Sequence, residues 1–284
     1  MRLAPRYDGP PILSIDDEPM AQLVPTTRQR ERFARSLTDL AADQWAHPSR
    51  CAGWTVRDVV AHLVTVNTFW NASIIAGRAG APTRVLVGFD PAATPPKLVD
   101  TMRAQSAADV LAQFVASNDA LLATMRTLTA DEWSMPAESP VGHVPIRLVA
   151  QHALWDSWVH ERDVMLPLAL DTTHEADELS SCLQYAAAVG PLMGLGIGRT
   201  PRGTFGIEAT KPTVRFVVDV GDVVWLHAGR ADTAVPLLRG DTVDLIEVLS
   251  LRSSVPADAP PEWTAMLAGL RAAFDPADAA GPHS

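Results

Sequence analysis

The segment HALWDSWVHERD, residues 152–163, is an apolar helix that carries two imidazoles and two carboxylates along one side. At about 100° per residue, these four polar side chains fall within roughly an 80° sector of the helix surface. Trp155 and Val159 border this sector, so the polar stripe lies beside the buried face. An uncompensated carboxylate there costs on the order of several kcal/mol. The helix must therefore pack among elements that supply partners. The stripe consists of His152, Asp156, His160 and Asp163.

Three other segments have the apolar periodicity of amphipathic helices. The first begins near Thr27, the second opens at Thr55, and the third covers residues 107–128. Asp58 follows Thr55 by three residues, which is the pattern of a capping box. A linker rich in Gly, Pro and Ala, residues 77–97, separates the second helix from the third.

The helix that carries the polar stripe is the fourth of this series. Pro145 can serve as its first residue, because a missing N–H costs nothing at that position. The helix should end before Pro167. Four amphipathic helices with a long middle connection predict a four-helix bundle.

The sequence changes character near residue 175. Residues 213–220 and 222–229, TVRFVVDV and DVVWLHAG, are β-branched runs that predict a hairpin. Within residues 237–252 we expect a strand end, an Asp241 N-cap and a helix. Further helices are predicted around 177–193 and 260–274. The fold class is therefore α+β, with an irregular arm (1–24), a helical bundle (25–174) and a small α+β domain (175–284).

Composition excludes several partners. The net charge is −10 over 284 residues, and the acidic balance argues against nucleic acid and anionic membranes. The first residues lack the apolar run of a signal peptide. The chain has no continuous apolar stretch of about 18 residues, so no membrane span is expected. There are only two cysteines, Cys51 and Cys182. We expect a cytoplasmic protein with reduced thiols. Cys51 comes just before the second helix, which could place it near a pocket, but a buried, inert thiol is the favoured interpretation.

Residues 40–63 and 128–154 resemble each other. Both contain an acidic residue near a Trp, a proline three residues past the Trp, a loop and a helix. His62 then corresponds to His152, and Arg57 to Arg147, if the second loop is two residues longer. The bundle would consist of two hairpins related by a pseudo-twofold, unless Trp-x-x-Pro is merely a recurring helix end.

The stripe predicts a metal site. Asp156 and His160 at i and i+4 can point at one ion, and His62 can supply a third ligand across the bundle. Two nitrogens and one oxygen suit Zn²⁺ with an open position, although other divalent metals accept the same set. Asp163 or His152 could hold the other ring nitrogen of a ligand. The alternatives are a core histidine at 62 and a simple Asp156–His160 ion pair. The neighbouring Glu161–Arg162 pair is expected on a solvated face.

The segment PSRCAGWTVRDVVAHL, residues 48–63, resembles the signature of the mycothiol-dependent maleylpyruvate isomerase family, among the DinB/YfiT-like metal-binding bundles. The resemblance implies that His62 is a metal ligand. The family pattern Glu-x-x-x-His-x-x-Asp is similar to DSWVHERD here, which implies Asp156 and His160 as the other two ligands. Aspartate is one methylene shorter than the family glutamate, so the helix must approach the metal more closely.

The second half resembles the sterol-carrier-like C-terminal domain of the same family. The segment RGDTVDLIEVLSLR, residues 239–252, places Arg252 at the position of a family arginine. The resemblance implies a catalytic role in which its fork holds a substrate carboxylate. The alternative is an arginine at a helix C-terminus that the helix dipole favours.

The resemblance implies an enzyme that uses a divalent metal, Zn²⁺ in the first instance, to activate a low-molecular-weight thiol, mycothiol, for attack on a small electrophile. Isomerisation results if the thiol is later expelled, and conjugation if it is retained. Two alternatives stay open: a metallohydrolase in which the metal activates water, and a non-catalytic module that binds metal and an apolar ligand. The sequence predicts no oligomeric state.

Overall fold

The computed structural model describes residues 3–18, 20–198, 200–229 and 235–274, and within these ranges the chain forms eight α-helices and seven β-strands. The helices are α1 (Leu23–Thr38), α2 (Val56–Arg78), α3 (Thr94–Thr101), α4 (Ala107–Arg126), α5 (Ile146–Met165), α6 (Ala176–Gly196), α7 (Thr242–Leu249) and α8 (Pro261–Phe274). The strands are β1 (Leu13–Ile15), β2 (Pro136–Ser139), β3 (Gly142–Pro145), β4 (Gly203–Thr210), β5 (Val214–Val220), β6 (Val224–Ala228) and β7 (Leu237–Asp241). The α+β class is confirmed.

Helices α1, α2, α4 and α5 form the predicted four-helix bundle. Both α1 and α2 pack against α4 and α5, so the four helices close a ring around one core. Phe33 of α1 and Phe114 of α4 are fully buried there and meet edge to face, with ring centroids 5.7 Å apart. Helix α3 lies in the connection between α2 and α4 and packs on α2.

Helix α2 is the one helix in the described parts of the chain with the length and apolar composition of a membrane span. It is not the continuous apolar stretch that the sequence analysis looked for, because Arg57, Asp58 and Asn67 interrupt it. In addition, 56% of its most apolar 18 residues are buried inside the protein, where α2 packs against α4 and α5. Core helices of bundles pass the same test, so the helix is weak evidence for a membrane.

The two resembling segments have matching local structures. Trp45 and Trp133 each lie in a single 3-10 turn, and a long helix follows each turn, after a loop in the first segment and after the hairpin β2–β3 in the second. His62 is the seventh residue of α2, and His152 is the seventh residue of α5. The predicted capping box at Thr55 and Asp58 is present, whereas Pro145 is the N-cap of α5 rather than its first residue.

The connections between the bundle helices are more ordered than the sequence predicts. A short hairpin, β2–β3, precedes α5 where a loop was expected. In the linker 77–97, α2 continues to Arg78 and α3 already begins at Thr94. Glu138 of β2 is fully buried and accepts hydrogen bonds from the backbone amides of Val85 and Leu86, at 2.9 and 2.8 Å. This carboxylate therefore ties the linker to the bundle.

The C-terminal half is built on a five-stranded sheet of order β1-β6-β5-β4-β7. The predicted hairpin is confirmed, because β5 and β6 pair antiparallel with Val218 opposite Leu226. Strand β7 runs into α7, and the Asp241 side chain accepts from the amide of Val243, as an N-cap does. Helix α6 packs against α7 and α8 and covers part of the sheet.

The irregular arm expected over residues 1–24 is not wholly irregular. Leu13–Ile15 form β1, which pairs parallel with β6 and places Leu13 opposite Val224. Helix α1 also begins at Leu23, within the expected arm. Leu13 and Ile15 are buried, and only Ser14 between them is partly exposed. Three residues are too few to give a periodic signal, and their partner strand lies about 210 residues away in the sequence.

The two halves share one apolar core. Buried side chains of α2, α5, α6, α8 and the sheet form a single cluster. Arg32 of α1 adds a polar link, because it donates both to Glu161 of α5 and to Glu178 of α6. The face of α5 that carries Asp163 consequently points at the C-terminal half.

Candidate metal centre

The structure brings His62, Asp156 and His160 together inside the bundle. One ligand atom from each lies within 4.8 Å of the other two. The imidazole centroids of His62 and His160 are 5.1 Å apart, and His160 Nε2 lies 3.7 Å from Asp156 Oδ1. Helix α5 sets the spacing of Asp156 and His160, and packing of α2 against α5 brings in His62.

The donor set fits a divalent cation. Asp156 Oδ2 and His62 Nδ1 are buried, and neither makes a hydrogen bond within the described chain. Buried polar atoms without partners cost on the order of 1–3 kcal/mol each. A cation bound between two imidazoles and one carboxylate would give the carboxylate its missing partner and leave at least one coordination position open.

The protonation states favour ligation at His62. Burial is the largest cause that lowers the pKa of His62 to about 4, and the neighbouring His160 lowers it further. The imidazole is therefore neutral at pH 7, which is the form that binds metals. Burial disfavours ionisation of Asp156, but the charges of His160 and His62 outweigh it and lower the pKa of this carboxyl.

His160 is oriented by Asp163. Its Nδ1 lies 3.0 Å from Asp163 Oδ2, which leaves Nε2 directed towards Asp156. Burial opposes the imidazolium, but the electrostatic interaction with the neighbouring Cys51 and the hydrogen bond to Asp163 outweigh it and raise the pKa of His160 to about 10. A carboxylate on the far nitrogen of a histidine is a common arrangement at protein metal sites, where it fixes the ring and raises its basicity.

Arg252 reaches this arrangement from the C-terminal half. Its Nε lies 2.9 Å from Asp163 Oδ1, and its Nη2 lies 2.7 Å from Asp163 Oδ2. The residue follows the end of α7, and Leu251 before it has a φ of 60°, a left-handed turn that directs the chain back to α5. Arg252 therefore lies near the predicted site, with its Nε and Nη2 bound to Asp163, and its role towards a substrate carboxylate stays a prediction.

Cys51 lies beside the same carboxylate. Its Sγ is 3.2 Å from Asp163 Oδ2 and 3.7 Å from His160 Nδ1, and the residue is only half-buried. The expectation of a buried thiol is therefore wrong for Cys51, which takes the alternative position near the site. It describes Cys182 instead, which is fully buried. The sequence signal for Cys51 was its position directly before α2, which carries His62.

The Glu161–Arg162 pair, expected on a solvated face, is also placed differently. Glu161 is 2% exposed and accepts from Arg32 and Gln29. Arg162 donates to Glu247 of α7 at 2.6 Å. The pattern of α5 alone predicts solvent on this side, but α1 and the C-terminal half cover it.

Glu247 and Arg50 are site-adjacent residues that sequence reasoning missed. Arg50 precedes Cys51, donates to Glu247, and lies with its Nε 3.7 Å from Asp163 Oδ1. Burial disfavours the Glu247 carboxylate, but hydrogen bonds from Arg50 and Arg162 outweigh it and lower its pKa. No local pattern links residues about 200 positions apart, so only the fold reveals this pair.

His152 is the counterpart of His62 in the second resembling segment, and it does not join the ligand cluster. Its Nδ1 lies 2.7 Å from the Tyr185 hydroxyl of α6, and its ring stacks at a tilt against Trp70, with centroids 4.6 Å apart. Burial lowers its pKa to about 4. His152 thus lines the site one helical turn from Asp156.

Comparison with known proteins assigns the bundle to a family. Residues 26–165 match the family model described as the mycothiol maleylpyruvate isomerase N-terminal domain. The helical bundle of this chain belongs to that family. All three proposed ligands lie within the matched residues.

Two solved structures have a similar fold. A crystal structure of the mycothiol-dependent maleylpyruvate isomerase matches with a TM-score of 0.60 and 15% identity, over 86% of this chain and 97% of that one. A histidine-to-alanine mutant of the isomerase matches with a TM-score of 0.61 and 14% identity, over the same shares. At this identity the likeness shows the fold, and it extends over the C-terminal half. No curated protein matches the chain.

Proposed function

We propose that this protein is a metal-dependent enzyme that activates mycothiol, or a similar low-molecular-weight thiol, for attack on a small electrophilic alkene. The observation that carries the proposal is the buried cluster of His62, Asp156 and His160, whose ligand atoms lie within 4.8 Å of one another. Membership of the bundle in the mycothiol maleylpyruvate isomerase N-terminal family supports the choice of thiol.

The roles of the ligands follow from their surroundings. His62 and His160 would supply nitrogens and Asp156 an oxygen to Zn²⁺ or a similar divalent cation. When bound, the cation would lower the pKa of a coordinated thiol and so supply a thiolate at neutral pH. Asp163 holds His160 by its Nδ1, and Arg252 in turn holds Asp163. Arg252 is therefore proposed to position the centre through Asp163.

The bundle interior favours an ionised Asp156. Arg30 of α1 is fully buried and donates to Asn67, Asn118 and the carbonyl of Ala153. Its charge interacts favourably with that of Asp156. This fixed positive charge helps to keep the carboxyl in the ionised form that binds a cation.

The substrate class follows from the chemistry of a thiolate. A soft nucleophile adds to a carbon–carbon double bond conjugated to a carbonyl. If the bond rotates and the thiol is then expelled, a cis alkene becomes trans. If the thiol is retained, the product is a conjugate. Maleylpyruvate, named in the family and in the matched structures, contains such a cis double bond.

Metal analysis of the purified full-length protein tests the centre. We expect about one divalent ion per chain in the wild type, and loss of that ion in His62→Ala and in His160→Ala. His47→Ala is the matched control, because His47 is exposed and lies outside the cluster. Metal retained in both variants would refute the assignment of His62 and His160 as ligands.

A turnover assay separates the enzyme classes. The protein is supplied with maleylpyruvate, or another cis-enone acid, with and without added thiol. Thiol-dependent isomerisation or adduct formation that a chelator abolishes is expected. Turnover that needs water but no thiol would favour the metallohydrolase. No turnover with any thiol, together with tight retention of an apolar molecule, would favour the non-catalytic module.

A further inference from the structure

Two aromatic N–H groups on adjacent rings of α2 and α5, the helices that carry the candidate ligands, have no hydrogen-bond partner among the described residues. The first belongs to His152, one helical turn before Asp156 and 7% exposed. Its Nδ1 is bonded to the Tyr185 hydroxyl, and its Nε2 makes no hydrogen bond to the described residues. The second is Trp70 Nε1, which is buried and has no partner in the described chain.

The Tyr185 hydroxyl fixes which nitrogen of His152 carries the proton. Tyr185 is 3% exposed, and His152 Nδ1 is its only hydrogen-bond partner among the described residues. If the hydroxyl did not donate to Nδ1, its proton would be left unbonded in the interior, at a cost of about 1–3 kcal/mol. Donation to Nδ1 places the proton of the neutral imidazole on Nε2.

His152 is held in place by aromatic rings. The ring centroids of Trp70, Trp155 and Tyr185 lie 4.6, 5.6 and 4.9 Å from that of the imidazole. Trp155 is itself anchored, because its Nε1 donates to Ser250 Oγ at 2.9 Å. A donor with these apolar neighbours is poorly hydrated, so a hydrogen bond to a charged oxygen is stronger there than in water.

Buried N–H groups nearly always have acceptors, and an unpaired one calls for an explanation. Trp70 Nε1 is such a group, and His152 on the adjacent ring is 7% exposed, so a ligand can reach it. Asp156 alone would repel an anion here, but a bound divalent ion and the buried Arg30 would offset its charge. An acceptor supplied by a ligand accounts for both groups.

We propose that His152 Nε2–H, together with Trp70 Nε1–H, binds a carboxylate or carbonyl oxygen of the electrophilic substrate beside the metal centre. Tyr185 is a positioning residue that keeps the proton on His152 Nε2. This inference rests on the proposed function, since it names the oxygen that gains negative charge when a thiolate adds to a conjugated double bond.

The test uses maleate as the probe, with metal-loaded full-length protein and no added thiol. Calorimetry measures its Kd for the wild type, His152→Leu and His152→Gln. Loss of a hydrogen bond to a charged oxygen should raise the Kd about 10-fold or more in His152→Leu. His152→Gln keeps an N–H near the position of Nε2, so its Kd should stay within about threefold of the wild-type value.

A second measurement needs no substitution at 152. Long-range ¹H–¹⁵N spectra of the labelled wild type should show the Nε2–H tautomer of His152, and maleate should shift its Nε2 resonance. Tyr185→Phe removes only the hydroxyl and should give a mixture of tautomers.

Three results would overturn the inference. In the first, the wild type does not bind maleate at millimolar concentration. In the second, His152→Leu keeps its full metal content and its maleate affinity is unchanged. In the third, the spectra of the wild type show the Nδ1–H tautomer of His152. If His152→Leu does not fold, the wild-type spectra decide. The binding assay contains no thiol. It therefore still measures maleate affinity if the protein proves to lack the thiol-dependent activity proposed above. The two failures are therefore distinguishable.

Discussion

Replacing Arg252 with methionine should destabilise the protein by about 2–3 kcal/mol, and the structure sets this magnitude. Asp163 is fully buried and Arg252 is 25% exposed at the side chain, with two donor nitrogens within 3.1 Å of the carboxylate. Removing one partner of a buried ion pair costs about 3–5 kcal/mol. His160 at 3.0 Å and Arg50 at 3.7 Å remain beside Asp163, so the expected cost lies below that range.

Urea unfolding, followed by circular dichroism, measures the effect. Arg239→Met is the matched control, because Arg239 pairs with Glu208 on the surface and is 67% exposed. Exposed pairs contribute about 0–1 kcal/mol, so this variant should unfold close to the wild type. A double-mutant cycle with Asp163→Asn should give a coupling energy of about 2 kcal/mol. If Arg252→Met and Arg239→Met lower the free energy of unfolding by the same amount, the reasoning about a buried ion pair is refuted.

The pH dependence gives an independent check. Burial disfavours the Asp163 carboxylate, but its hydrogen bonds with His160 and Arg252 outweigh burial and hold its pKa well below the usual range. A lowered folded pKa stabilises the protein above the unfolded value of about 3.9, and this stabilisation is lost as the pH falls further. The difference between the wild type and Arg252→Met should therefore be constant from pH 7 to pH 5 and shrink below about pH 4.

Two further predictions concern the metal and the thiols. The pKa of His160 is raised to about 10 and that of His62 is lowered to about 4, so only His160 is protonated at pH 7. Binding of Zn²⁺ at pH 7 should therefore release about one proton per ion, from His160. Calorimetry in buffers of different ionisation enthalpy measures this, and binding without proton release would contradict it. Iodoacetamide should modify one cysteine of the native protein, Cys51, and two after denaturation, since Cys182 is fully buried. Mass spectrometry of the labelled peptides identifies the site, and equal labelling of both native cysteines would refute the assignment.

Local signals in the sequence predicted most of the secondary structure. The capping box at Thr55, the hairpin of β5 and β6, and the Asp241 N-cap were all found where expected. Each depends on residues within a few positions of one another, so the pattern is complete in the sequence. Strand β1 was missed because its hydrogen-bond partners lie in β6, far along the chain.

The candidate ligands were also predictable, but for a different reason. The i and i+4 spacing places Asp156 and His160 on one side of α5, whatever the helix packs against. His62 came from the resemblance of residues 48–63 to a known signature. The structure adds that the ligand atoms of all three lie within 4.8 Å of one another.

The sequence by itself determined the helices, the hairpin and the side of α5 that carries the candidate ligands, because helical periodicity and capping act over a few residues. Only the tertiary structure decided what surrounds them. Asp163 contacts Arg252, which is 89 positions away in the sequence, and Cys51, which is 112 positions away. Tyr185 contacts His152, which is 33 positions away. These contacts form because burial of a shared apolar core brings α5 against α6 and α7, and no local pattern encodes which distant side chains that packing will pair.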